Sequence, residues 1–174
     1  MNSSVTIQIY DVSEDYIRLI ASVDKEVRFP KEALRPYLFA KIRLGLDKEY
    51  LIPLSSPKKP KFRAKDIIDT IYDVDDLAKV IGYLEYHKMI PFHEKIAKVI
   101  DIAVYPNIQY RALLEKDYKY LDKHLGIEAI EKKASRIYKA RYNESHYLYD
   151  RYLKDFGTDV ALLEHVLAKY LKTI

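Results

Sequence analysis

Residues 37–54 read YLFAKIRLGLDKEYLIPL. Tyr37 to Leu46 is rich in residues that suit a pleated, half-buried surface, Asp47 and Lys48 offer a short turn, and Tyr50 to Leu54 is apolar again. That pattern predicts an antiparallel β-hairpin. The next residues, Ser55-Ser56-Pro57-Lys58-Lys59-Pro60-Lys61, change character abruptly. Two hydroxyls and a cluster of lysines therefore fall where the second strand ends.

Outward from the hairpin, Val5 to Tyr10 (VTIQIY) alternates and predicts a first strand. Ser13 as N-cap, Glu14 and Asp15 in the first turn, and Tyr16, Ile17, Ile20 and Val23 at helical spacing predict a helix of about three turns after it. The segment VRFPKEALRP reads as a surface connection because of its prolines and charge. Ile67–Tyr72 and Val80–Tyr86 are further strand candidates. The acidic stretch between them lacks the glycine and terminal glutamate of a calcium loop and reads as a solvated turn. Met89–Phe92 (MIPF) is an apolar segment that proline confines to an edge or a strand end.

After Pro106 the period becomes helical. Tyr110, Leu113, Leu114, Tyr118, Leu121 and Leu125 form one stripe, with Gly126 placed to stop it. A second helix covers Ile127 to Tyr138, and a third, with Thr158 as cap, carries Leu163, Val166, Leu167, Tyr170 and Leu171. Strands first and helices later give an α+β fold: a compact, strongly curved antiparallel sheet with an N-terminal helix and a C-terminal set of helices. One domain over 1–174 is expected, sheet-rich over 1–100 and helical over 106–174.

Composition narrows the function. The absence of cysteine excludes disulfides and thiolate metal sites and suits a reducing compartment. The start lacks the pattern of a signal peptide, and no window reaches the roughly 20 apolar residues of a membrane span, so a cytoplasmic location is expected. Thirty basic and 26 acidic residues leave a net charge of +4, but Lys58, Lys59, Lys61, Arg63 and Lys65 follow one another with no acid between them. A local basic patch is expected there. Seventeen tyrosines suit bases that stack on rings, although a tyrosine at a core boundary needs no such role.

With four glycines there is no phosphate loop, no GxSxG elbow and no HExxH. His87 and His93 flank MIPF and titrate in the right range to move protons, but histidines without a visible partner are more often structural. Ser55-Ser56-Pro57 has two readings: turn chemistry, or hydroxyls that donate to phosphate oxygens while Lys58 or Lys59 neutralises charge. The second needs no cofactor and no metal.

The stretch RPYLFAKIRLGLDKEYLIPLSSPKK (35–59), followed by YHKMIPF (86–92) and preceded by EDYIRLI (14–20), resembles the ToxN/AbiQ family of endoribonuclease toxins from type III toxin–antitoxin and abortive-infection systems. The likeness covers residues 5–95; beyond Pro106 only helical character agrees. Pro53-Leu54-Ser55-Ser56-Pro57-Lys58 is similar to the family's Pro-Leu, Thr or Ser, Ser, Pro-Lys segment. The resemblance implies catalytic roles for Ser55, Ser56, Lys58 and Tyr16, and places Arg35 and Tyr37 in an Arg-Pro-Tyr segment that contacts RNA. It also implies metal-independent cleavage by the ribose 2′-OH, leaving 2′,3′-cyclic phosphate and 5′-OH ends. Ser55, Ser56 and Lys58 suit the stabilisation of the charged intermediate, while Tyr16 and Lys58 are both open as acid or base.

The partner so implied is a small repeat-derived RNA antitoxin, folded as a pseudoknot, in a higher-order protein–RNA assembly. Lys59, Lys61, Arg63 and Lys65 are candidates for its groove, as are Arg111, Lys116 and Lys119, which read equally as a solvated helix face. A noncatalytic RNA-binding module using the same basic strand end is the alternative.

Overall fold

The computed structural model describes residues 7–27, 38–57 and 64–174. Seven strands form a curled, open antiparallel sheet in the order β4-β5-β3-β2-β1-β7, with β6 added to β3. The hairpin sits at its centre: β2 (Leu38–Leu44) and β3 (Lys48–Ser55) pair over six positions, from Phe39 opposite Pro53 to Leu44 opposite Lys48. The turn falls at 45–47, one residue before its expected place. β1 (Ile9–Val12) lies beside β2, and β7 (Ala97–Val99) covers the other edge of β1. The sequence does not announce β7, which is three residues long with two of them exposed.

The far edge of β3 is shared. Its end, Leu54 and Ser55, pairs with β5 (Asp76–Glu85), whereas Tyr50 and Leu51 pair with β6 (Ile90–Pro91). β6 is thus the short proline-limited strand that MIPF predicts. β5 in turn carries the edge strand β4 (Ile68–Asp73).

Alternation along β3 sorts the core in two. Tyr50 and Ile52 belong to a cluster with Ala40, Ile42 and helix α3 (Ile127–Arg141). Leu51, next to them, faces a second cluster built by Phe39, by helix α1 (Glu14–Val23) through Tyr16, Ile17 and Ile20, and by helix α5 (Val160–Tyr170) through Leu163 and Leu167. The hairpin is therefore buried on both faces, which explains its nearly continuous apolar run.

Two expectations are corrected. The acidic turn is not simply solvated: β5 begins at Asp76, only Val74 and Asp75 remain outside the strands, and Asp73 is 3 % exposed. Its carboxylate accepts from Lys116 Nζ at 2.7 Å and from the Asp75 backbone N–H at 2.9 Å. The lysine holds Asp73 below the usual carboxylate range. The last helix is capped by Asp159, whose carboxylate accepts from Leu162 N at 3.3 Å, not by Thr158. Thr158 is buried instead, and donates through Oγ1 to the Met89 carbonyl at 2.6 Å. Ser13 stands at the N-cap of α1 without a side-chain capping bond.

Helix α2 (Ile108–Tyr120) runs into a π turn (Leu121–Leu125), closed by the Gly126 N–H on the Leu121 carbonyl at 2.8 Å. Gly126 then adopts φ 80°, the left-handed conformation that ends the segment where expected. The buried face of α2 holds Leu114, Asp117 and Leu121.

Asp117 is an apolar-face carboxyl, 7 % exposed, whose Oδ1 has no hydrogen-bond partner. Burial pushes its pKa up to about 7 from the ordinary 3.8. Because the folded state holds this proton more tightly than the unfolded state, stability falls as pH rises from about 4 to about 7 and then levels off. Asp117→Asn should remove that slope and raise stability above pH 7 by about 2–4 kcal/mol, read from urea unfolding midpoints at pH 5 and pH 8. An unchanged pH slope in the variant would place the titration elsewhere.

Candidate active site

Ser55 closes β3 opposite Tyr83 of β5. Its Oγ is enclosed and has no hydrogen-bond partner. A buried hydroxyl left unpaired costs about 1–3 kcal/mol, and such groups in folded proteins call for a functional reason. Turn chemistry, in which the hydroxyl bonds local backbone, does not describe Ser55.

The strand end is set by a close approach. A Cβ on Gly82 would stand 2.7 Å from the Ser55 carbonyl oxygen, so only glycine lets β5 lie against this part of β3. The register shifts beside it: Ile71 pairs with Gly82 and Tyr72 with Val80, which leaves Ile81 as the extra residue of a bulge. A bulge twists a strand and re-aims its side chains, and bulges gather near active sites. Ser56 follows, half-buried, and Pro57 is exposed.

Lys58, Lys59, Lys61 and Arg63, and likewise Arg35 and Tyr37, lie outside the described residues. Lys65 is exposed. Its carbonyl is one of three acceptors around Lys133 Nζ, with Lys65 O at 2.6 Å, Ile68 O at 2.9 Å and Asp69 Oδ1 at 2.8 Å. Lys133 also stands 5.1 Å over the Tyr86 ring, whose hydroxyl donates to Asp69 Oδ2 at 2.5 Å. All three ammonium protons are thereby used, and α3 is tied to the start of β4. Nothing in the sequence sets Lys133 apart from the other lysines of its helix.

Tyr16 lies on α1, deep in the cluster that α1 and α5 build against the hairpin. It is 0 % exposed, packs against Tyr170 at 5.4 Å between ring centroids, and its hydroxyl has no hydrogen-bond partner. Burial raises its pKa well beyond the usual tyrosine range. A phenol so enclosed keeps its proton at neutral pH. No bond or ring contact joins Tyr16 to Ser55 or Ser56 among the described residues.

Other candidates are engaged elsewhere. Arg111 donates through Nε and Nη2 to the Tyr105 carbonyl at 3.0 and 2.7 Å, and Lys116 is paired with Asp73. Lys119 is exposed. His93 Nδ1 accepts from the Lys95 N–H at 3.1 Å, a local turn contact, while His87 is buried. Among the described residues no group of three His, Asp or Glu is arranged to hold a metal ion, and no helix is long and apolar enough to cross a membrane.

Comparison with known proteins places the fold and the family. A family model described as toxin ToxN of type III toxin–antitoxin systems matches residues 8–168. The chain is 28 % identical to an endoribonuclease ToxN of Bacillus thuringiensis subsp. kurstaki, over 94 % of this chain and 84 % of that one. It is 25 % identical to the endoribonuclease AbiQ of Lactococcus lactis subsp. lactis, over 97 % and 91 % of the two chains. Among solved structures, a chain from work on type III toxin inhibition by a non-coding RNA pseudoknot superposes with a TM-score of 0.83 at 25 % identity, covering 95 % of this chain and 98 % of that one. The lactococcal anti-phage endoribonuclease AbiQ superposes with a TM-score of 0.72 at 22 % identity, covering 97 % and 99 %.

Proposed function

This chain belongs to the ToxN family of type III toxin–antitoxin toxins, and from that premise we propose that it is an endoribonuclease that cuts RNA without a metal ion at the end of β3. The attacking group is the ribose 2′-OH, so the protein supplies no nucleophile. Ser55, Ser56 and Lys58 donate hydrogen bonds and positive charge to the phosphorane as it forms, and the products carry 2′,3′-cyclic phosphate and 5′-OH ends. The observation that carries this reading is the unpartnered Ser55 hydroxyl at a strand end that Gly82 lets β5 approach closely. A donor kept dry and free of competing partners is preorganised for an anion.

Lys58 is the better candidate for the base, since burial holds the proton on Tyr16. A small repeat-derived RNA, folded as a pseudoknot, is bound by Lys59, Lys61, Arg63, Lys65, Arg35 and Tyr37 through its phosphates and bases, and restrains the enzyme until it is lost. A solved chain from work on toxin inhibition by a non-coding RNA pseudoknot shares the fold over nearly its whole length, which supports this reading.

Metal independence has a direct test. Cleavage of an unstructured RNA should proceed undiminished in excess EDTA, because hydroxyls and an ammonium group carry the charge stabilisation. Loss of cleavage on chelation, restored by magnesium or manganese, would show that a cation takes part; the unstructured substrate keeps RNA folding out of the comparison.

A further inference from the structure

Beyond the end of β3 the sheet leads to a stack of three rings that the proposed chemistry leaves unused. Tyr72 of β4 stands 5.8 Å from Tyr120 at the end of α2. Tyr120 in turn lies nearly parallel to His124 of the π turn, with 5.0 Å between ring centroids and 13° between planes. Tyr72 and Tyr120 are half-buried, and Tyr120 packs against the main core, whereas His124 is exposed. The stack is therefore anchored at one end and open to solvent at the other.

Its position relative to the serines follows from the register. Ser55 pairs with Tyr83 and Tyr83 with Thr70, and from there the pairs run on to Ile71 with Gly82 and Tyr72 with Val80. Tyr72 thus lies two strands across from β3 and onward in the direction in which Ser56 leaves it. A strand spacing of about 4.8 Å and a rise of about 3.3 Å per residue put the Tyr72 backbone roughly 12 Å from that of Ser55. Stacked nucleotides advance about 3.4 Å each, so a single strand needs several of them to pass from the serines to His124.

Positive charge flanks the rings. Lys116 and Lys123 stand four residues before and three after Tyr120, on its side of the helix, and Lys119 precedes it. Lys116 is taken by Asp73, while Lys119 and Lys123 are exposed and carry no ion pair among the described residues. π turns are rare and gather at functional sites, and this one carries both Lys123 and His124. A flat ring joined to phosphates complements such a surface. A base laid on His124 extends a stack that is already ordered, and its neighbouring phosphates meet Lys119 and Lys123. Every base has a face of this kind, so the surface grips a strand without reading its sequence.

We propose that the Tyr72–Tyr120–His124 stack is a platform for one base of the single-stranded RNA substrate, several nucleotides from the scissile phosphate. The assignment rests on the ribonuclease reading for its substrate, but its test measures binding alone. Single-stranded RNAs of about a dozen nucleotides, long enough to reach His124, are made with 2′-O-methyl riboses and cannot undergo 2′-OH attack. The chain holds no tryptophan, so His124→Trp keeps a ring on the stack and adds a sole reporter of base contact. Fluorescence anisotropy gives the affinity, and tryptophan emission reports the contact itself.

RNA should quench the tryptophan. An abasic nucleotide moved along the strand should, at one position, relieve that quenching and lower native affinity about 5-fold or more. His124→Ala, with its melting temperature checked, should bind about 5-fold or more weakly and become indifferent to that abasic position. Lys119→Gln with Lys123→Gln should weaken every sequence alike and lower the log–log salt slope by about one to two. Unquenched emission when RNA binds, or native affinity in a folded His124→Ala protein, would overturn the platform. Quenching by a folded RNA alone, with single strands silent, would overturn it too and assign the stack to the inhibitor RNA. Quenching by single strands in a protein that cuts no RNA would uphold the platform and sink the ribonuclease reading, so the two fail separately.

Discussion

Ser56→Ala should leave a folded protein that no longer cuts RNA. The residue is half-buried just past the end of β3, so losing its hydroxyl should change stability by less than about 1 kcal/mol. Removing one preorganised donor from an oxyanion site costs on the order of 100- to 1,000-fold in rate. Single-turnover cleavage and a thermal melt on the same preparation separate the two effects. Tyr16→Phe is the contrasting variant: it removes a buried, unpartnered hydroxyl, and cleavage should persist with stability equal or slightly higher. A Ser56→Ala protein that cuts at the native rate, or a folded Tyr16→Phe protein that does not cut, would move the catalytic centre away from the strand end.

Gly82→Ala should damage both fold and reaction. The added methyl would stand 2.7 Å from the Ser55 carbonyl oxygen, and that neighbour is backbone rather than a side chain that could swing aside. β5 and the end of β3 must separate, at a cost of about 1–3 kcal/mol. Misplacing a catalytic group by about 1 Å can cost on the order of 100-fold in rate, so the loss of cleavage should exceed what the fraction unfolded explains. Measured well below the melting transition, native-rate cleavage by Gly82→Ala would show that the β3–β5 contact does not position the serines.

The central hairpin and the first helix were legible because their signals are local. Apolar runs bounded by a turn specify β2 and β3, and acids ahead of an amphipathic stripe specify α1. Gly126 stops its segment because a positive φ is local as well. Thr158 and Asp159 are both capping residues side by side, and the choice between them is made by the Met89 carbonyl, nearly 70 residues away, which takes the threonine hydroxyl. Asp117 sits in an otherwise apolar stripe, and its burial follows from packing rather than from sequence.

The candidate site divides in the same way. The hydroxyl pair stands out because serine, serine and proline interrupt an apolar strand beside clustered lysines. The need for glycine at 82 depends on a strand contact between residues 27 positions apart in sequence. Lys133 becomes distinctive only when three acceptors from the start of β4 converge on it.

The most direct test of the account is the chemistry of the cut ends. Purified protein is incubated with a defined single-stranded RNA, and the fragments are analysed by mass spectrometry before and after phosphatase and acid treatment. Cleavage through the 2′-OH predicts 2′,3′-cyclic phosphate on each upstream fragment and 5′-OH on each downstream one. Fragments ending in 3′-OH and beginning with 5′-phosphate would contradict the account, as would intact RNA recovered in complex with a folded, RNA-binding protein.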